Sequence, residues 1–157
     1  MNNIHRNAKI GRNVQVGPFT TIEEDVVIGD GCRIGANASI LNGTRMGNNC
    51  NIFPGAVVGA SPQDLKFEGE SSTLEIGNNV TIREYCTINR GTKASFKTYI
   101  GDHCLLMAYV HVAHDCIVGP HSILANNVNL AGHIHVGHHV VIGGLVAVHQ
   151  FVKIGDH

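Results

Sequence analysis

Eleven of the 157 residues are histidine, and all but His5 fall between His103 and His157. Imidazole is the side chain best matched to proton transfer near neutral pH, so such a concentration raises the question of what the rings do together. Their spacing sorts them. Three short stretches recur at intervals of 18: Ala113-His114-Asp115, Ala131-Gly132-His133 and His149-Gln150-Phe151, with His111 just ahead of the first. His114 is a candidate general base, and Asp115 beside it could orient or bias the ring. Gly132 offers a backbone N–H without side-chain hindrance, suited to a developing oxyanion. Neither serine nor cysteine belongs to these stretches, so the chemistry they suggest is direct attack by a substrate hydroxyl that a histidine deprotonates. The competing reading is a row of solvated turn residues, and spacing alone leaves both standing. A second set, His103, His121, His139 and His157, also repeats every 18 residues. It reads as a repeated polar turn residue, an interface column or a metal ladder. Zinc needs three or four converging ligands, which a column of residues one rung apart would supply only across subunits.

The elements that must position these residues come from a stronger pattern. Every sixth residue from Ile4 to Ile154 is a large aliphatic, except Asp64, Glu70 and Ala94. Two residues earlier stands a small or β-branched residue, as in Ala8, Val14, Thr20, Val26, Cys32 and Ala38, and one residue later there is often glycine, as in Gly11, Gly17, Gly29 and Gly35. A helix would need a period near 3.6 and a simple strand a period of 2. Period six predicts a short strand followed by a turn, with the small and aliphatic residues both pointing inward. The glycine is expected to relieve the turn's backbone angles. Three such units close a triangular coil of 18 residues, so the fold class is all-β, a parallel β-helix. The five cysteines, Cys32, Cys50, Cys86, Cys104 and Cys116, all take the inward small position. They read as buried small apolar residues rather than nucleophiles, disulfides or metal ligands.

Two segments leave the frame, residues 60–73 (ASPQDLKFEGESST) and 92–98 (TKASFKT). Both preserve the six-residue register, as external loops or degenerate rungs; loops are favoured. If they are insertions of 12 and six residues, the first loop leaves the edge that carries the turn after Val112. Long loops on a rigid scaffold commonly carry function.

Composition narrows the function classes. Charged residues make up 15% and the formal net charge is −1, which gives no basic footprint for nucleic acid and no polybasic membrane patch. The first eleven residues hold no apolar signal core, and no apolar run is long enough to span a bilayer. A cytoplasmic protein without a stable membrane anchor is expected, and the unpaired cysteines suit a reducing compartment.

The motifs SPQDLKFEGE, TINRGT, LLMAYVHVAHDC, ILANN, LAGH and IGGLVAVHQF run through nearly the whole chain. In them the chain resembles the UDP-N-acetylglucosamine O-acyltransferase family, which catalyses the first step of lipid A synthesis. The resemblance implies a left-handed coil. It implies transfer of a 3-hydroxyacyl chain from acyl carrier protein to the 3-hydroxyl of UDP-N-acetylglucosamine, with no metal or cofactor. It casts His114 as general base with Asp115 supporting it, and Gly132 as oxyanion donor. Asp64 would hold the glucosamine, Lys66 would support substrate binding, and His111, His133, His149 and Gln150 would line the substrate and acyl cleft. It implies a homotrimer with sites between subunits. It also implies further coils and a helical domain beyond His157, carrying nucleotide contacts and the residues that gauge acyl length. Lys66, Arg90, Lys93 and Lys97 are candidates to meet an acidic carrier protein, against a plain reading as solvated loop charges. Two enzymes compete with this reading: the N-acyltransferase acting later in the same pathway, and a zinc-dependent β-helix enzyme of the carbonic anhydrase type. A non-catalytic scaffold fragment is a third alternative.

Overall fold

A computed structural model describes residues 1–157. The chain winds as a left-handed parallel β-helix with three flat faces. The first face stacks eight strands: Asn3–Ile4, Thr21–Ile22, Ser39–Ile40, Val57–Ala60, Thr87–Asn89, His111–Val112, Asn129–Leu130 and Ala147–Val148. The second also has eight, from Lys9–Ile10 to Lys153–Ile154, and the third seven, from Gln15–Val16 to Val141–Ile142. Every pairing is parallel and joins residues of successive coils, such as Val112 with Leu130 and Leu130 with Val148. No helix is long and apolar enough to cross a membrane.

The core is one continuous aliphatic column of 32 buried residues. From Ile22 to Ile142 each strand contributes its frame aliphatic, while Ile4 and Ile10 of the first coil are exposed, and the small position fills the space between faces. The five cysteines lie there, free and fully buried. Their thiols reach carbonyls of the next rung, Cys104 Sγ to Gly119 O at 3.2 Å and Cys116 Sγ to Ala131 O at 3.0 Å. Thr20 and Ser122 do the same with hydroxyls, to Gly35 O and Gly137 O at 3.0 Å each. Where the position carries a polar atom, that atom is satisfied by a neighbouring rung; elsewhere it is filled by Ala or Val, as at Val26, Ala38 and Val110. Burial pushes the Cys86 and Cys116 thiols up to about 11, which keeps them protonated and unreactive.

One expectation about the turns is corrected. The glycines after the frame aliphatics are not the residues with left-handed backbone. Positive φ falls two residues later, at Asn13, Asn37, Asn49, Asn79, His103, Asp115, His121, His133 and His139 among others. The glycine is required by the neighbouring coil: a Cβ on Gly101 would stand 2.6 Å from Pro120 N, and one on Gly35 would stand 2.7 Å from Pro54 N. Among the glycines that directly follow a frame aliphatic, the bulged Gly59, at φ +90°, combines both demands.

The two irregular segments are insertions, of 12 and six residues. Val58 on the first face and Ile76 on the second bracket one, and Ile88 and Ile100 bracket the other in the same two faces. Both loops thus leave the edge between the first and second faces. The first is tighter than the sequence suggests and the second is shifted two residues toward the N-terminus, because strands Val57–Ala60, Thr73–Ile76 and Lys97–Ile100 continue into the loop bases. There Ala60 pairs with Asn89, Thr73 with Lys97 and Leu74 with Thr98. The free loops are 61–72 and 90–96.

Candidate active site

The edge carrying both loops is also the edge of the turns after Val112, Leu130 and Val148. His114 stands in the first turn, 5% exposed, and Gly132 lies one rung above it. The ring packs on that rung: a Cβ at position 132 would stand 2.6 Å from His114 Cε1 and 2.8 Å from Nε2. Glycine is therefore needed for the imidazole to lie across the next coil. Gly132 is itself buried, and its N–H finds no acceptor in the chain. Turn amides on another edge are satisfied by the rung above, as where Asn48 N donates to Asn78 Oδ1 and Asn78 N to Asp102 Oδ1. At Gly132 the residue above is Gln150, and no such bond forms. The amide of His114, at the equivalent turn position one rung below, likewise has no acceptor in the chain, so both turn amides are open to a ligand's oxygen.

Asp115 fixes the imidazole. Its Oδ2 accepts from His114 Nδ1 at 2.7 Å. The smaller loop completes the carboxylate's shell: Thr92 N donates to Oδ1 at 3.0 Å, Thr92 Oγ1 to Oδ2 at 2.5 Å, and Ser95 Oγ to Oδ1 at 2.5 Å. Asp115 N in turn donates to Thr98 Oγ1 at 2.9 Å. Burial alone would raise this carboxyl, but the bonds from Ser95, Thr92 and His114 outweigh it and hold it down at about 2. The carboxylate is thus ionised, His114 carries its proton on Nδ1, and Nε2 is left with its lone pair as a base.

The cleft beside His114 has a volume of about 420 Å³ and is lined by Gln63, Asp64, Leu65, Lys66, His114, His133, Gln150 and Phe151. A smaller recess of about 190 Å³ continues from it past Asp64, Lys66 and His133 to Thr92 and Lys93. A larger groove, about 510 Å³, runs over the third face between Gln15 and Pro54. It holds no histidine or carboxylate and lies on a face without either loop, so the loop edge is the candidate site.

Of the residues singled out from sequence, the fold brings Asp64, Lys66, His114, Asp115, Gly132, His133 and Gln150 together. His111 is half-buried on the first face, where its Nδ1 meets Thr87 Oγ1 at 2.7 Å and burial lowers its pKa. His149 is exposed, and neither residue lines the cleft. Thr92, Ser95 and Phe151 were missed. Phe151 stacks on His133 with centroids 4.7 Å apart, and His133 meets the His114 ring edge-on at 5.0 Å. The one signal for Thr92 and Ser95 is that their loop interrupts the frame on the histidine edge.

The larger loop is anchored to the smaller one. Glu70 Oε1 accepts from Lys93 N at 2.9 Å, and Asp64 Oδ1 caps its own turn by accepting from Lys66 N at 2.9 Å. Lys93 and Lys97 face Glu68 and Glu75 at 3.7 and 3.6 Å, whereas Lys66 has no ion-pair partner. His114, Asp115 and His133 bring ligand atoms within 4.8 Å of one another. Their shared centre is Asp115 Oδ2, which is already committed to His114 and Thr92, so the group is built as a hydrogen-bonded dyad.

Known proteins are similar to this chain in sequence and fold. The family model described as bacterial transferase hexapeptide (six repeats) matches residues 7–42 and 97–132. A UDP-N-acetylglucosamine acyltransferase of solved structure from Bacteroides fragilis is 47% identical, with a TM-score of 0.85, over 99% of this chain and 67% of that one. The chain belongs to the UDP-N-acetylglucosamine acyltransferase family. An acyl-acyl carrier protein–UDP-N-acetylglucosamine O-acyltransferase from Bartonella henselae is 47% identical over 98% of this chain and 57% of its own length. One of the same name from Campylobacter curvus is 49% identical over 99% of this chain and 63% of its own length. The chain thus spans about six-tenths of the length of these relatives.

Proposed function

We propose that this edge transfers a 3-hydroxyacyl chain from acyl carrier protein to the 3-hydroxyl of UDP-N-acetylglucosamine, the first step of lipid A synthesis. The observation that carries the reading is the His114–Asp115 dyad lying under an amide with no acceptor, in a cleft that also holds Asp64 and Lys66. His114 Nε2 takes the proton of the sugar hydroxyl as its oxygen attacks the thioester carbonyl. The carbonyl becomes a tetrahedral oxyanion beside the Gly132 N–H, which stabilises the negative charge. Collapse breaks the carbon–sulfur bond, and the imidazolium returns its proton to the leaving thiolate. Asp115 keeps its charge throughout and stabilises the imidazolium.

Asp64 is placed to accept hydrogen bonds from the sugar, and Lys66 to meet a phosphate or the carrier protein's acidic surface. Phe151 and Leu65 give the cleft its apolar wall for the acyl chain. A homotrimer would set a neighbouring copy against this edge and turn His111 and His149 toward the substrate held between copies. The reaction belongs in the cytoplasm, where acyl carrier protein is the donor.

The test is transfer of a 3-hydroxyacyl group from acyl carrier protein to UDP-N-acetylglucosamine by this chain and by its His114→Ala variant. Product with the parent chain and a loss of about 10²-fold or more in the variant is expected. Full activity in the variant would remove the general-base assignment.

A further inference from the structure

The edge between the second and third faces carries the other histidine set. His103, His121, His139 and His157 occupy one turn position on successive rungs, each with φ near +60°. The rings of His103 and His121 stack at 4.8 Å, and those of His121 and His139 at 4.7 Å, within 11° of parallel. Lower rungs place Asn49 and Asn79 at the same position with the same backbone. The turn therefore needs a residue tolerant of left-handed φ, and asparagine suffices. The imidazoles add something the turn does not require.

At the top of the column the stacking breaks. His139 and His157 tilt to 40° at 5.7 Å, and His138, which is not a member of the column, sets its ring edge-on to both at 5.3 Å. His138 Nδ1 stands 3.0 Å from His139 Nδ1, and the ligand nitrogens of His138, His139 and His157 all lie within 4.8 Å of one another. Behind His138, Asp156 Oδ2 is 2.9 Å from its Nε2, while Asp156 Oδ1 accepts from His138 N at 3.0 Å. A neutral His138 that donates its Nε2–H to Asp156 presents the Nδ1 lone pair to the cluster. The column alone does not converge within one chain; His138 makes it converge.

We propose that His138, His139 and His157 bind a divalent transition-metal ion of the zinc class. Two nitrogens bound tetrahedrally at the usual zinc distance are about 3.3 Å apart, close to the His138–His139 spacing. A carboxylate on the far nitrogen of a ligating imidazole is the common way such a ring is oriented and made more basic. Three imidazoles favour zinc, copper or nickel over magnesium or calcium, which take oxygen ligands. The rungs are held in register by the His157 N–H bond to His138 O at 3.1 Å and by the pairing of Val136 with Ile154. The ion would clamp two successive coils and leave a fourth position for water or a ligand from another chain. This site lies on a different edge from the acyl-transfer cleft and does not depend on that reading.

The test is calorimetric titration of the metal-free chain with zinc chloride, paired with Co²⁺ absorption and thermal melting. The variants are His139→Asn, which keeps the turn residue of the lower rungs, His138→Gln, and His114→Asn in the cleft. One zinc per chain is expected, with a Co²⁺ spectrum of four-coordinate type and a zinc-dependent rise in melting temperature. The affinity should fall about tenfold or more in His139→Asn and His138→Gln. Their melting without metal should be unchanged, and His114→Asn should bind as the parent does. The proposal is overturned if no stoichiometric binding occurs, if His139→Asn and His138→Gln bind as tightly as the parent, or if binding is lost in His114→Asn instead.

Discussion

At the scale of single residues, the site depends on two adjacent demands on one ring. His114 must be held through Nδ1 and must lie flat over the next coil, so Asp115 and Gly132 are constrained together. Gly132→Ala is expected to displace the imidazole, because the added Cβ would overlap its edge and no left-handed backbone is at stake at that position. Acyl transfer should fall about 10²-fold or more, with the fold intact by circular dichroism. An unchanged rate would separate the ring from the chemistry. Asp115 gives a second expectation. Its carboxyl is held at about 2 in the folded chain against an unperturbed 3.8, so its contribution is fully present above about pH 4 and is lost as pH falls through 2. The difference is worth about 2 kcal/mol. Denaturant midpoints measured from pH 5 to pH 2 should therefore drop less steeply in Asp115→Asn than in the parent. Equal slopes would mean that the carboxylate is not held as its hydrogen bonds indicate. His114 and Gly132 were legible from sequence because both obey the 18-residue repeat; the reason for the glycine, a ring crossing from the rung below, was not.

At the scale of elements, the loops were legible as interruptions but not as contacts. A period reports what recurs, and Thr92 and Ser95 recur nowhere; they reach Asp115 through a single irregular turn. The frame glycines failed differently. Their spacing was plain, yet the strain at those turns sits on Asn13, Asn37 and their equivalents, while the glycines answer to the coil above. The smaller loop is thus a clamp on the dyad, and Thr92 and Ser95 are positioning residues. In Thr92→Val with Ser95→Ala the carboxylate keeps only the Thr92 N–H and His114. Its pKa should climb from about 2 toward the ordinary aspartate range, read by NMR of the carboxyl carbon. Turnover should fall by about tenfold with KM nearly constant, since both hydroxyls are turned to Asp115. A change in KM alone would point to direct substrate contact instead.

At the scale of the whole molecule, stability and site share one axis. Each coil touches only the coils above and below it, so the β-helix behaves as a stack of nearest-neighbour interfaces. The aliphatic frame was legible almost in full from sequence, because every coil repeats the same burial, and the three-face closure followed from the period. A lesion in that frame should therefore act locally. Leu130 is fully buried, paired with Val112 below and Val148 above, and its turn carries Gly132. Leu130→Ala opens a cavity under that turn and should cost about 3 kcal/mol by chemical denaturation. Hydrogen exchange should quicken first at the amides of residues 111–115, 129–133 and 147–151, while the coils below Ile40 keep their protection. The dyad rests on those same rungs, so acyl transfer should fall at temperatures well below global melting. Replacing the equally buried Ile40 by alanine should cost a similar amount, since it fills the same frame position. Three coils beneath the dyad, it should leave transfer near the parent rate. If both substitutions depress activity alike, the coils are coupled over a longer range than nearest-neighbour stacking allows.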